Sequence, residues 1–256
     1  GTKLTGNNNV AVGTNAGLLL QGAAHSNTLI GAASGDAVTT GIQNTFVGQA
    51  SGTAVTTGAN NVAIGYVALA SATTAADNVI VGKQAGFSIT DSQFNVGVGN
   101  NAIQTLTTGD RNVAVGHSAM YALTTASDNI AIGNEAGVAV TTGAENVLMG
   151  SYAGDAITTG ASNTAMGYNA LGSVTTASYN VGIGQSAGGA ITTGEKNVFV
   201  GFGAGDATTT ADNNTAVGYD ALTENTTGAQ NVAVGNLALD GNTTASSGTA
   251  VGYNAL

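Results

Sequence analysis

Hydrophobic and polar positions alternate along this chain in short bursts. In Asn112-Val113-Ala114-Val115-Gly116 a polar residue opens the burst, β-branched residues flank a small one, and Gly closes it. The closing residue returns as Gly13, Gly31, Gly48, Gly65, Gly82, Gly99, Gly116, Gly133, Gly150, Gly167, Gly184, Gly201, Gly218, Gly235 and Gly252. The first interval is 18 residues and the other thirteen are 17. A fixed short period is the signature of a solenoid, in which each repeat closes one coil of a stack.

Aligned on the Gly, the columns are strict. Asn stands four before it in 14 of 15 copies, so that column is read as structural. Val, Ile or Thr stands three before, and Val, Ile or Met one before. Ala or Ser stands three after. An apolar residue usually stands seven after, as in Val38, Ile89 and Ile157, followed by Thr-Thr as in Thr56-Thr57. β-branched residues at alternate places predict strands, and the Gly, Asn and Asp clusters between them predict turns. The fold class expected is all-β: a parallel β-solenoid of 17-residue coils with two short strands each, the second ending in Thr-Thr. Seventeen residues are too few for a βαβ unit. Fifteen coils at the inter-strand spacing would extend roughly 65–70 Å. Composition does not change along residues 1–256, so one continuous solenoid without separate domains is expected, irregular over 1–30. The extra residue falls between Gly17 and Asn27, beside Leu18-Leu19-Leu20, where a bulge or a junction is expected.

The aligned Asn residues form the expected structural ladder: Asn44, Asn61, Asn78, Asn95, Asn112, Asn129, Asn146, Asn163, Asn180, Asn197, Asn214 and Asn231. Asn tolerates left-handed backbone, and its amide can bond its counterpart in the next coil. Acids keep to columns too. All but Asp91 and Glu224 fall two, five, eleven or twelve places after the Gly, in the turns. There is also a 51-residue superperiod. Tyr66, His117, Tyr168 and Tyr219 follow their Gly, with Leu69, Met120, Leu171 and Leu222 three further on, while intervening coils mostly carry Ala-Gly at that corner. Duplication accounts for the spacing; the sequence supplies no packing reason.

The Asn-Val-Ala-Val strand is apolar on both faces, whereas a strand with one solvated face alternates. One face fills the coil; the other would be a stripe larger than soluble monomers expose. Burial against identical chains in closed symmetry resolves this, so a homotrimer with these strands along the common axis is expected.

Composition narrows the function. Forty Gly and no Pro leave tight turns available and every backbone N–H free to donate. Only 7% of residues are charged, with a net charge of −10, which excludes the basic footprint that nucleic acid requires. With no Cys there are no disulfides. No segment approaches the ~20 apolar residues of a membrane span, so no membrane insertion is expected. The chain opens without an initiator Met or a signal peptide, as a processed or excised section would.

Candidate chemistry is sparse. His25 and His117 are the only imidazoles and lie coils apart, so neither a catalytic triad nor a zinc site is expected. Gly97-Val98-Gly99 and Gly182-Ile183-Gly184 imitate a dinucleotide fingerprint without the helix it needs. Asp36, Asp155, Asp206 and Asp240 share a turn column, but Asp155 and Asp206 are three coils apart and cannot hold one ion; they read as solvated turns. The expectation is therefore no enzyme, no cofactor and no metal. Arg111 precedes Asp128 by one coil in one column, which predicts a surface ion pair. Tyr66, Tyr168, Tyr219 and Tyr253 are candidates for contact with a cell-surface glycan or protein receptor, although packing at the corner beside Leu69, Leu171, Leu222 and Leu256 is the preferred reading. Stacked Thr could order water, which makes ice binding an alternative.

The Asn-Ile-Ala-Ile-Gly of 129–133 and its kin resemble the repeat of trimeric autotransporter adhesin heads. The string 214–228, Asn-Thr-Ala-Val-Gly-Tyr-Asp-Ala-Leu-x-x-Asn-Thr-Thr-Gly, resembles repeats of bacteriophage tail fibres. The resemblance covers nearly the whole chain. It implies a left-handed parallel β-roll, a trimer, and a role as shaft or spacer at the cell exterior or virion surface. A self-assembling extracellular filament is a further alternative.

Overall fold

The regular burst becomes one three-residue strand per coil. The computed structural model describes residues 6–256, and among these there is no helix. The chain divides into two units, one ending at Asp128 and the other running from Asn129 to Leu256. The first unit holds β1 (Val10–Val12), β2 (Thr28–Ile30), β3 (Thr45–Val47), β4 (Val62–Ile64), β5 (Val79–Val81), β6 (Val96–Val98) and β7 (Val113–Val115). The second holds β8 (Ile130–Ile132), β9 (Val147–Met149), β10 (Thr164–Met166), β11 (Val181–Ile183), β12 (Val198–Val200), β13 (Thr215–Val217), β14 (Val232–Val234) and β15 (Thr249–Val251). In each unit every strand pairs in parallel with the next, column on column, as in Val62↔Val79 and Val198↔Thr215. Each unit is thus a parallel β-solenoid with coils of about 17 residues.

Among the described residues the expected second strand is absent as a strand. Its Thr residues do bond from coil to coil: Thr56 N–H donates to the Thr73 carbonyl at 2.9 Å. One good bond per coil, followed at once by a turn, does not build a ladder. Of the expected irregular stretch, residues 1–5 lie outside the described residues. The 18-residue step itself leaves β1 and β2 in register, Ala11 opposite Leu29.

The middle residue of each strand points into the coil, and its two neighbours point out. Leu29, Phe46, Ile80, Ala114, Leu148 and Phe199 are all fully buried. The interior is completed by the Ala/Ser column three after the Gly, the residue after it, and the apolar column seven after. Towards the end of the second unit that last column turns polar, and it does so with partners. Thr208 and Asn225 are fully buried; Asn225 Nδ2 donates to the Gly228 carbonyl at 2.9 Å and Asn242 Nδ2 to Asn225 Oδ1 at 3.1 Å.

The bulky and slim corners within each coil now have a packing reason. The strand-middle residue and the residue four after the Gly fill the same interior volume. Phe46 is matched by Gly52, and a methyl group on Gly52 would lie 2.5 Å from the Phe46 ring. Ile103 is matched by Gly97, where a methyl would lie 2.8 Å from Ile103 Cγ1. Ala63, Ala165 and Ala216 are matched by Leu69, Leu171 and Leu222, all fully buried. No coil puts bulk at both places. The coil with Gly at both, Gly182 and Gly188, is filled by neighbours: a methyl on Gly188 would lie 2.8 Å from Phe199 and 2.9 Å from Leu171.

The Gly column itself is fixed twice over. Gly48 has φ +134, and a methyl there would collide with the carbonyl oxygen of Gly65 in the next coil. No other residue meets both conditions.

Candidate functional site

The Asn ladder is continuous with the core and closed to ligands. All its residues from Asn44 to Asn214 are fully buried, and Asn231 is 1% exposed. Asn61 shows the pattern. Its backbone N–H and its Nδ2 both donate to Asn44 Oδ1, at 3.0 and 3.1 Å, and Nδ2 also donates to the Ala75 carbonyl at 2.7 Å. Its own Oδ1 accepts from the N–H and Nδ2 of Asn78, at 3.2 and 3.1 Å. Every polar atom of the amide is used. Asn163, Asn180 and Asn197 repeat this backbone-to-Oδ1 bond in the second unit at 3.0 Å, and Asn27 and Asn9 begin the ladder in the first.

The outer face of the strands is where surface chemistry can occur. The residues three and one before the Gly are only Val, Ile, Thr and Met, so each unit carries an uncharged, largely apolar face. Ile30, Ile64 and Val79 are exposed in the first unit, and Ile132, Met166, Ile183 and Val217 in the second. One rim of this face is the column after the Gly, the other the column five before it.

The four Tyr candidates stand on the first rim, exposed at 50% for Tyr66, 55% for Tyr168, 51% for Tyr219 and 77% for Tyr253. They do not share the interior with their Leu partners. Leu69, Leu171 and Leu222 point in while the Tyr rings point out, which corrects the corner-packing expectation. Nor do they form one open platform. Tyr219 stacks on Phe202 with centroids 5.3 Å apart and planes 8° apart, and Tyr168 meets Tyr152 edge-on at 5.8 Å. In the Phe202–Tyr219 pair, one face of each ring is therefore covered by the other.

The two Thr columns differ. In the inner one the hydroxyls are consumed: Thr56 Oγ1 donates to the Thr73 carbonyl at 3.1 Å, and Thr158 Oγ1 to that of Thr175 at 3.0 Å. The outer column, Thr57 and Thr159 among them, is exposed, one residue per coil, with Asp91 breaking it in the first unit. Ice binding would therefore rest on a single column.

The acids are not uniformly solvated. Asp155 and Asp206 are half-buried, and burial pushes both carboxyls above the usual range, helped for Asp206 by the charge of Asp220 and for Asp155 by that of Glu135. Asp155 Oδ1 is buried without a hydrogen-bond partner. Asp128 is exposed and shifted downward, chiefly by its hydrogen bond from Arg111. That ion pair is bidentate, at 2.6 and 2.9 Å, as the shared column led one to expect. Among the described residues no group of three His, Cys, Asp or Glu is placed to hold a metal ion.

No family model matches the chain, and no curated protein matches it. The functional reading therefore rests on the geometry and on the resemblance of the repeats. Sequence reasoning found the apolar face of the strands.

Proposed function

We propose that this chain is a shaft segment of an extracellular homotrimeric fibre, of the phage tail-fibre or adhesin kind, supporting attachment to a cell surface. The observation that carries this reading is the uncharged strand face of each unit. Burying such a face stabilises by roughly 25 cal/mol per Å² of apolar surface, and closed symmetry leaves no sticky face over. The Asn ladder is satisfied within the chain: its amides bond one another and the backbone. The role is mechanical, holding a distal tip or the rod's flank towards a target cell. The exposed Tyr rims are then the surface open to a glycan or protein receptor.

Mass measurement in native buffer is the test. Three times 24.6 kDa is expected, and a single 24.6 kDa species overturns the trimer. Thin rods in negative stain support the shaft reading; compact globules count against it. Ice binding is the second reading, favoured only by the exposed Thr column. An ice-recrystallisation assay decides it, and Thr159→Tyr together with Thr176→Tyr abolishes any activity found.

A further inference from the structure

We propose that Tyr152 and Tyr168 form an oxidative coupling site, at which a one-electron oxidant joins two successive coils of the second unit by a carbon–carbon bond between the phenol rings. The site lies within one chain and depends on neither the assembly nor the receptor reading.

The chain has no Cys, so no disulfide can tie one coil to the next. Tyr is a side chain that oxidation can join to another of its own kind. The chain has seven Tyr, and among the described residues one pair of phenols is in ring contact. Tyr152 and Tyr168 meet edge-on, with centroids 5.8 Å apart and planes 81° apart. Tyr219 also has a ring partner, but that partner is Phe202, which has no phenol to oxidise.

The fold holds the pair in place. Tyr152 stands two after Gly150 and Tyr168 one after Gly167, so the contact spans one step of the stack. The Tyr152 N–H donates to the Asn134 carbonyl at 3.0 Å, and the Tyr168 carbonyl accepts from the Ser186 N–H at 3.0 Å. Both backbones are thus fixed by coil-to-coil bonds, while the Tyr152 ring is half-buried and the Tyr168 ring exposed. Tyr152 also takes φ 60°, in a column where other coils place Asn15, Asn101 or Asn169. Left-handed backbone favours Asn or Gly, so the ring is not there for the sake of the backbone.

The step balances as follows. Each phenol gives up one electron and its hydroxyl proton, leaving a phenoxyl radical with spin on the ring carbons beside the oxygen. One such Cε carbon of each ring bonds to the other, and the hydrogen on each moves to its own oxygen as aromaticity returns. Two C–H bonds are replaced by one C–C bond, with the net loss of two electrons and two protons. Hydrogen peroxide, acting through a haem peroxidase, takes these up and leaves as two waters. The bond closes a loop over residues 153–167, which restricts the unfolded chain as any cross-link does.

The test oxidises the purified chain with hydrogen peroxide and a haem peroxidase, and in parallel with photogenerated ruthenium(III), which needs less room. Asp155 is the one acid between the two Tyr, so cleavage before Asp residues leaves the rings in separate peptides, 128–154 and 155–205. From oxidised wild-type chain that runs as a monomer on a denaturing gel, these peptides should come off joined, at their summed mass less two hydrogen atoms. Tyr152→Phe keeps the ring and its packing but should abolish the joined product. Tyr168→Phe should do the same and guards against a local folding defect in the first variant; Tyr66→Phe should leave the product intact. The site is overturned if neither oxidant joins the peptides under conditions that couple free tyrosine. It is equally overturned if the joined product survives in Tyr152→Phe, or if the only links found run between chains.

Discussion

Each coil asks for backbone that L-residues avoid. Besides the Gly, the positions two and four after it and five before it all take positive φ: in one stretch Val67 at 49°, Leu69 at 53° and Asp77 at 58°. Asn, Asp and Gly accept this region readily, and a β-branched residue does not. Val67 is therefore strained where other coils place Asn15, Asn101 or Asn169. Val67→Asn should raise stability by about 1 kcal/mol, measured as a shift in the urea midpoint at unchanged slope. The ladder predicts a loss of the opposite kind. Asn163→Ala removes the acceptor of the Asn180 N–H, the donor to the Ala177 carbonyl, and a donor to Asn146 Oδ1, all buried. Leaving such groups unpaired costs about 1–3 kcal/mol each before relaxation, so a loss of at least about 3 kcal/mol is expected from the same titration. A loss below 1 kcal/mol would mean that water satisfies the ladder.

At the scale of the coil, shared volume is what selects side chains. Phe46 and Gly52 are one solution, Ala63 and Leu69 another. Phe46→Ala alone opens a cavity and should cost about 3–5 kcal/mol. Gly52→Leu alone overpacks against the ring, and should cost at least about 2 kcal/mol. Together they recreate the solution of the next coil, so the double variant should be about 1–3 kcal/mol more stable than additivity allows. Strict additivity in that cycle would show that the two positions do not share a cavity. The same shared volume explains what could and could not be read in advance. Period, parallel stacking and the Asn ladder were legible, because a column of one residue type is a one-dimensional signal. The link between Phe46 and Gly52 was not, because its two halves sit six residues apart and neither is constant. The second strand was overestimated for a related reason. Thr56-Thr57 has strand-forming side chains, but its backbone makes one ladder bond and then turns. The apolar face was legible from Val113 and Val115, which flank the inward-pointing Ala114.

Across the whole chain, net charge is −10 and bases are few, so acid might be expected to unfold it as carboxylates lose their partners. The resolved shifts point mostly the other way. Asp128 alone is lowered, by an exposed ion pair that salt screens. Its contribution is present above the ordinary value of 3.8 and is lost as pH falls through its lowered folded value. Asp155 and Asp206 are raised, chiefly by desolvation, so the folded state binds their protons more tightly than the unfolded state does. By linkage, stability from these two is fully present below 3.8 and is lost as pH rises through their folded values. Melting temperature should therefore hold or rise as pH is lowered from 7 towards 4. Asp155→Asn, which removes a buried carboxylate oxygen that has no partner, should raise the melting temperature at pH 7. It should do little near pH 3, where the wild-type group is already neutral. Asp206→Asn should act in the same direction and also relieve repulsion from Asp220. A steady fall in melting temperature from pH 7 to pH 4, unchanged in the double variant, would show that both carboxylates are well solvated in the folded protein.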